Sequence, residues 1–200
     1  FITEEQVVRN SLIVDEGDAY NKLLFDRSIN NIKKRGIFKT VDAKVKNSKT
    51  DSQKKVIDII VEEKPTGELF AGAGTGTSGS SVTAGISEKN YLGRGISLTA
   101  NVTVSDESVK GILSIINPNY KNTDRSLNTR IENTSSDFMS ASGYKTTRTG
   151  LGFGTGFEQY EDLMVNFDIS TYYENLETSS EASETKKKQE GDYFENLFRY

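Results

Sequence analysis

From Leu69 onward the chain alternates apolar and small polar residues with period two, segment after segment. Leu69, Ala71 and Ala73 alternate with Phe70, Gly72 and Gly74. Val82, Ala84 and Ile86 alternate with Ser81, Thr83 and Gly85. Ile96, Leu98, Ala100, Val102 and Val104 alternate with Ser97, Thr99, Asn101 and Thr103. Leu113 and Ile115 follow, then Leu127, Thr129 and Ile131. Leu151, Phe153, Thr155 and Phe157 alternate with Gly152, Gly154 and Gly156. Leu163, Val165, Phe167 and Ile169 alternate with Met164, Asn166, Asp168 and Ser170, and a last segment runs from Tyr193 to Tyr200. Successive side chains of a strand point to opposite faces, so period two is a strand signal, and the segments predict about eight consecutive antiparallel strands.

Which face is covered by protein decides the fold class. A soluble sandwich turns its apolar face inward and sets long polar side chains outside. Here the polar face is mostly Gly, Ser, Thr and Asn, with few Lys or Glu inside the segments. Side chains this small suit a crowded, concave interior and leave the apolar set to face lipid. Alternating segments of roughly ten residues separated by turns are the pattern of a transmembrane β-barrel. A soluble β-sheet protein is the alternative that the pattern leaves open. Residues 90–95 and 159–162 read as tight turns. Residues 133–143 and 174–192 read as long polar connections, the second a mobile outer loop. Short and long connections alternate in barrels, and Tyr91, Tyr120 and Tyr160 fall at short-turn ends, where an aromatic girdle would lie.

The first 65 residues have a different composition. They hold two glycines against fifteen in the remainder, and 13 Lys/Arg against 11 Asp/Glu. Pro65-Thr66-Gly67 is breaker chemistry at the change, which sets a boundary between residues 1–65 and 66–200. The first unit reads as α+β. Thr3-Glu4-Glu5-Gln6 fits a capping box for a short helix ending near Leu12. A second helix is predicted from after Asn21 to Arg35, with Phe25, Ile29 and Ile32 as its apolar stripe and Gly36 as its stop. Val41, Ala43 and Val45 mark one strand. Val56-Ile57-Asp58-Ile59-Ile60-Val61 mark a second, apolar enough to be covered by helices, with residues 46–55 as the hairpin loop. Two helices and two strands make a thin core, so a preceding strand is expected, and the chain reads as part of a longer protein.

Several chemistries are excluded by composition. Without Cys or His there are no disulfides, no Cys/His zinc sites, no thiol nucleophile and no His-based triad. A net charge of −4 offers no basic field to nucleic acid. No apolar run is long enough for a transmembrane helix. Gly74-Thr75-Gly76-Thr77-Ser78-Gly79 has dinucleotide-loop spacing, but residues 80–86 alternate as a strand where that loop needs a helix. The glycines therefore read as a glycine-rich strand and hairpin turn, with Gly72, Gly74 and Gly76 on one face. Gly152, Gly154 and Gly156 read as relief of interior crowding. Lys33-Lys34-Arg35 and Lys186-Lys187-Lys188 read as solvated charge. Glu62-Glu63 lies at a strand end beside Lys64 with no pocket signal, so neither an enzyme nor a cofactor or metal is expected.

Several of these segments resemble a known family. Arg35-Gly36-Ile37-Phe38-Lys39-Thr40-Val41 resembles the helix-to-strand junction of POTRA repeats, and Val61-Glu62-Glu63-Lys64 looks like the last POTRA strand. Residues 67–77 resemble a glycine-rich first barrel strand. Asn90-Tyr91-Leu92-Gly93-Arg94-Gly95 is similar to an Asn-Trp-Leu-Gly-x-Gly turn, with Tyr91 in place of Trp. Asn117-Pro118-Asn119-Tyr120 is similar to an Asn-Pro-Tyr-Phe turn, with Asn119 intruding. Together they resemble the Omp85 superfamily, and within it the BamA-like assembly factors. The resemblance implies an α+β POTRA-like periplasmic domain (1–65) followed by an antiparallel transmembrane β-barrel of which about eight of sixteen strands are present. It implies folding and insertion of β-barrel proteins at the bacterial outer membrane. The partners implied are nascent barrel proteins, accessory lipoproteins and the lipid bilayer, with no cofactor, metal or nucleic acid. The first barrel strand would pair with a client strand through Leu69, Phe70, Ala71, Gly72, Ala73, Gly74, Thr75 and Gly76, at a seam weakened by its glycines. A TamA-type or two-partner secretion relative, and a passive channel, are the alternatives.

Overall fold

The computed structural model describes residues 2–51, 53–76, 79–160 and 163–200. Its contacts divide into two units. One comprises residues 1–66 with 89–96, the other residues 67–88 with 97–200.

In the first unit, α1 (Glu5–Arg9) and α2 (Lys22–Lys34) precede an antiparallel pair, β1 (Phe38–Asn47) and β2 (Lys55–Glu63). Asn21 caps α2 as its position suggests, its side-chain oxygen accepting from the N–H groups of Leu23 and Leu24. Gly36, at φ +69°, ends the helix. Ile29 and Ile32 pack with Val7, Ile37, Phe38 and Val41 into one core, with Phe25, Ile59 and Val61 around it. Two buried hydroxyls are satisfied: Ser28 Oγ accepts from Ile13 N–H, and Ser11 Oγ donates to Val7 O.

Three expectations need correction here. The capping box does not form. Glu4 is the N-cap of α1 without a side-chain cap bond, because Thr3 Oγ1 is engaged by Asn90 Nδ2 and Thr3 N–H by Glu63. Arg35 is not a solvated charge like Lys33 and Lys34. It is half-buried, donates Nε to Ser11 Oγ at 2.6 Å, and its burial lowers its pKa. Finally, β2 is covered on one face only. Val41↔Val61, Ala43↔Ile59 and Val45↔Ile57 share one face, whereas Val56 and Ile60 stand on the other, exposed beside Lys46 and Asp42.

The second unit is one eight-stranded sheet whose spatial order is the chain order, β3 to β10. The strands are β3 (Gly67–Gly76), β4 (Gly79–Tyr91), β5 (Ile96–Ser105), β6 (Ser108–Asn117), β7 (Arg125–Phe138), β8 (Tyr144–Tyr160), β9 (Leu163–Thr178) and β10 (Gly191–Arg199). Among the described residues the sheet does not close: β3 and β10 are its edges. The register gathers the alternating apolar residues on a single face. Leu69 pairs with Ile86, Leu98 with Ile115, Leu113 with Ile131, Ile131 with Leu151 and Phe153 with Ile169. These side chains are exposed or half-exposed, so this face has no second layer of the described chain over it. The other face carries Thr83, Asn101, Asn128, Asp168 and the glycines at 72, 74, 76, 85, 150, 152, 154 and 156.

The expected long connections are shorter than their polarity suggested. Residues 133–138 continue β7, pairing from Asn133↔Thr149 to Phe138↔Tyr144, and the chain returns through α3 (Met139–Ser142) and Gly143. β9 likewise extends to Thr178. The remaining connection folds around α4 (Glu184–Lys187), which Ser183 caps. Ala182 is buried there, and Lys186 Nζ lies 4.4 Å from the centre of the Tyr144 ring. Ser, Thr and Asn lengthen these strands on both faces, which erases the alternation that marks a strand. The dinucleotide-like motif falls partly, at Thr77 and Ser78, outside the described residues. So does the turn at Glu161 and Asp162.

Candidate functional site

All eight residues expected to receive a client strand lie on β3, in continuous antiparallel register with β4 from Leu69↔Ile86 to Gly76↔Gly79. Every one of them is exposed, Leu69 at 86%. β4 is the single strand neighbour of β3 among the described residues. Every second N–H and C=O of β3 therefore points away from β4 along an open edge, where another strand could pair with it. The edge offers backbone hydrogen bonding, and the eight residues carry no ionisable side chain and one hydroxyl, that of Thr75.

The two glycine series behave differently. A Cβ built at Gly72 or Gly76 would meet nothing within 4 Å, and one at Gly74 only Ser81 Oγ at 3.9 Å. The glycines of β8 sit under their neighbours. A Cβ at Gly150 would run into the Tyr172 ring, and one at Gly154 into Asp168 and Asn128. Crowding is therefore the reason for glycine on β8. On β3 it is not, and the effect there is an absence of side-chain packing along the strand.

Two features of the edge escaped sequence reasoning. Phe70 lies on the glycine-bearing face of β3, directly opposite Gly85, and its ring tip covers that glycine. The signal was available as a glycine inside an otherwise regular strand pattern, which marks a close approach. At the other end of β3, Asp106 Oδ2 accepts from Ser80 N–H at 2.9 Å beside Gly79, which takes φ +92°.

The turn at residues 90–95, within the first unit, is built by its motif residues. Asn90 Oδ1 accepts from Gly95 N–H at 2.7 Å, and Asn90 Nδ2 donates to Thr3 Oγ1 at 2.8 Å. Gly93 N–H closes the turn on Asn90 O, and Gly93 O accepts from Glu4 N–H. Gly93 and Gly95 both have positive φ and stand against Ile2 O and the Val7 side chain, where a Cβ would collide. The spacing of the motif is thus the spacing of one tightly seated turn.

Known proteins are similar to this chain in sequence and fold. The model of the Omp85 superfamily domain matches residues 90–200. The putative outer membrane protein assembly factor of Treponema pallidum (strain Nichols) is 30% identical over 114 residues, covering 53% of this chain and 13% of that protein. Outer membrane protein assembly factor BamA of Neisseria meningitidis serogroup B (strain MC58) is 26% identical over 185 residues, covering 90% of this chain and 23% of that protein. This chain therefore spans less than a quarter of either relative. Among solved structures, BamA from Haemophilus ducreyi lacking POTRA domains 1–3 superposes with a TM-score of 0.79 at 23% identity, over 98% of this chain and 40% of the other. CdiB from Acinetobacter baumannii superposes with a TM-score of 0.55 at 12% identity, over 88% and 36%. The family match spans more than half of the chain, and with the BamA-like sequence and sheet it establishes that this chain belongs to the Omp85 superfamily.

Proposed function

We propose that this chain is the strand-lending part of a factor that folds and inserts β-barrel proteins into the bacterial outer membrane. On this reading residues 1–65 are a POTRA-like domain in the periplasm. Residues 66–200 are the first half of a transmembrane barrel, with the apolar face of the sheet against lipid. The helix–helix–strand–strand order of the first unit supports the POTRA assignment, and the names of the two curated relatives support the assembly role.

One observation carries the reading: the exposed, glycine-thinned edge of β3. A nascent strand in hydrocarbon cannot leave its N–H and C=O groups unpaired, since each costs several kcal/mol. A factor that lends a strand edge removes that penalty while the client folds. The pairing is β-augmentation, in which backbone bonds supply affinity without dictating sequence. Leu69, Ala71 and Ala73, mostly small and on the lipid side, leave room for clients of differing sequence. Accessory lipoproteins would act with the first unit.

Single cysteines at positions 69 to 75, each paired with one in the last strand of a barrel client, test the reading. Crosslinks should form during assembly at these positions and not on β6. If β6 crosslinks and β3 does not, the reading is wrong. If the client crosslinks to β3 and is then released across the membrane, the chain belongs to a secretion branch of the superfamily.

A further inference from the structure

β3 is secured unevenly along its length. At Gly76 the chain leads directly into β4, so that end is tethered by the hairpin. The Gly67 end lies farthest from this hairpin and is joined to β2 through residues 64–66. Between them, a Cβ added at Gly72 or Gly76 would meet nothing on the polar face, and one at Gly74 only Ser81 Oγ at 3.9 Å. Phe70 does pack on this face. Its ring tip lies over Gly85 of β4, converging there with the side chain of Asn101 from β5. Any Cβ at 85 would strike the ring, Asn101 Cβ and the carbonyl of Ala100, so glycine is what keeps the seat open.

We propose that Phe70 is a positioning residue, a latch whose ring in the Gly85 notch holds residues 67–71 of β3 in the plane of the sheet and so keeps that part of the edge ready for an incoming strand. The functional half of this inference rests on the strand-lending reading above. Its physical basis is preorganisation. An edge that is already extended need not be ordered when the client arrives, and the ordering cost it avoids is greatest where neighbouring residues are glycine. Without the ring, residues 67–71 would lose alignment with β4, while residues 73–75, next to the hairpin, would keep theirs.

Two measurements on the intact protein in lipid vesicles test the latch, with Phe70→Ala and the ring-preserving Phe70→Tyr. In hydrogen exchange without client, Phe70→Ala should speed exchange of the 67–71 segment at least tenfold and change the 72–76 segment less than threefold. Phe70→Tyr should restore the native rates. In client crosslinking, Phe70→Ala should lower the yield at position 69 about tenfold relative to position 75. Unchanged exchange in Phe70→Ala, or equal acceleration of both segments, overturns the latch. A latch present by exchange with an unaltered 69-to-75 crosslink ratio overturns its role in client pairing. Absence of crosslinks at every β3 position in the native protein overturns the strand-lending reading instead and leaves the exchange result to decide the latch.

Discussion

Asn128 Nδ2 donates to Asp168 Oδ1 at 3.3 Å, although the two residues lie on β7 and β9 with β8 between them. Both are register partners of Gly154, and the bond passes over that bare backbone. Strands two apart are normally kept from touching by the side chains of the middle strand, which glycine removes. Replacing Asn128 or Asp168 by Ala should lower stability by about 0.5–1.5 kcal/mol each, with the double variant little worse than either single one. Urea unfolding in lipid vesicles, followed by heat-modifiable gel mobility, measures this coupling. Additive losses would show that the bond contributes nothing.

Alanine at the glycines should separate β3 from β8. Gly154→Ala evicts the Asn128 and Asp168 side chains and should cost about 1–2 kcal/mol. Gly85→Ala should cost more, about 2–3 kcal/mol, because the Ala100 carbonyl it meets is backbone and cannot turn aside. Gly72→Ala meets nothing and should be neutral or stabilising by about 0.5 kcal/mol. The same unfolding assay ranks the three. A Gly72→Ala variant as damaged as Gly154→Ala would contradict the open surroundings of Gly72.

The 90–95 turn depends on one amide side chain. Asn90→Ala removes the bonds to Gly95 N–H and Thr3 Oγ1 and should destabilise the first unit by about 1–2 kcal/mol. Asn90→Asp keeps the acceptor for Gly95 and loses the donor to Thr3, so it should fall between Asn90→Ala and native. Hydrogen exchange at Glu4, whose N–H bonds to Gly93 O, reports the loosening.

Hydrogen bonds from the Thr3 side chain and then from its backbone N–H hold the Glu63 carboxyl below its ordinary value of 4.5. A carboxylate whose pKa is lowered by folding contributes stability above the unfolded pKa, and this is lost as the pH falls through the lower folded value. The contribution is small because the group is exposed. NMR titration should place the Glu63 midpoint below 4.5, and Thr3→Val should move it back up. A native midpoint at or above 4.5 would refute the assignment.

The strands were legible where one face was apolar and the other small, as at Leu151–Phe157, because period two survives in the composition. They were illegible where both faces are polar. Ser135, Asp137, Lys145 and Thr147 carry no alternation, and only their register shows that they are paired strand. Asn21, Gly36 and the α2 stripe were readable because capping and helical spacing are local. The Thr3 capping box failed because Asn90 and Glu63, remote in sequence, compete for the same groups. The strand that carries the expected client-pairing residues was legible in the sequence, whereas the glycine at 85 signalled a close approach without showing that Phe70 is the residue opposite it.

The glycines of β8 on the polar face recur at every second position, so their spacing would also accept β9 after a slide by two. Slid so that Asp168 faces Gly156 in place of Gly154, the bulk of β9 would still fall on vacant backbone. The glycine spacing alone thus does not tell the two alignments apart. The choice rests with the short connection between Tyr160 and Leu163, the pairs on the apolar face, and polar and cationic contacts, Asn128 with Asp168 and Arg148 with the Tyr172 ring and Glu195. Weakening these side-chain contacts would lower the cost of a two-residue slip and leave the short connection to oppose it.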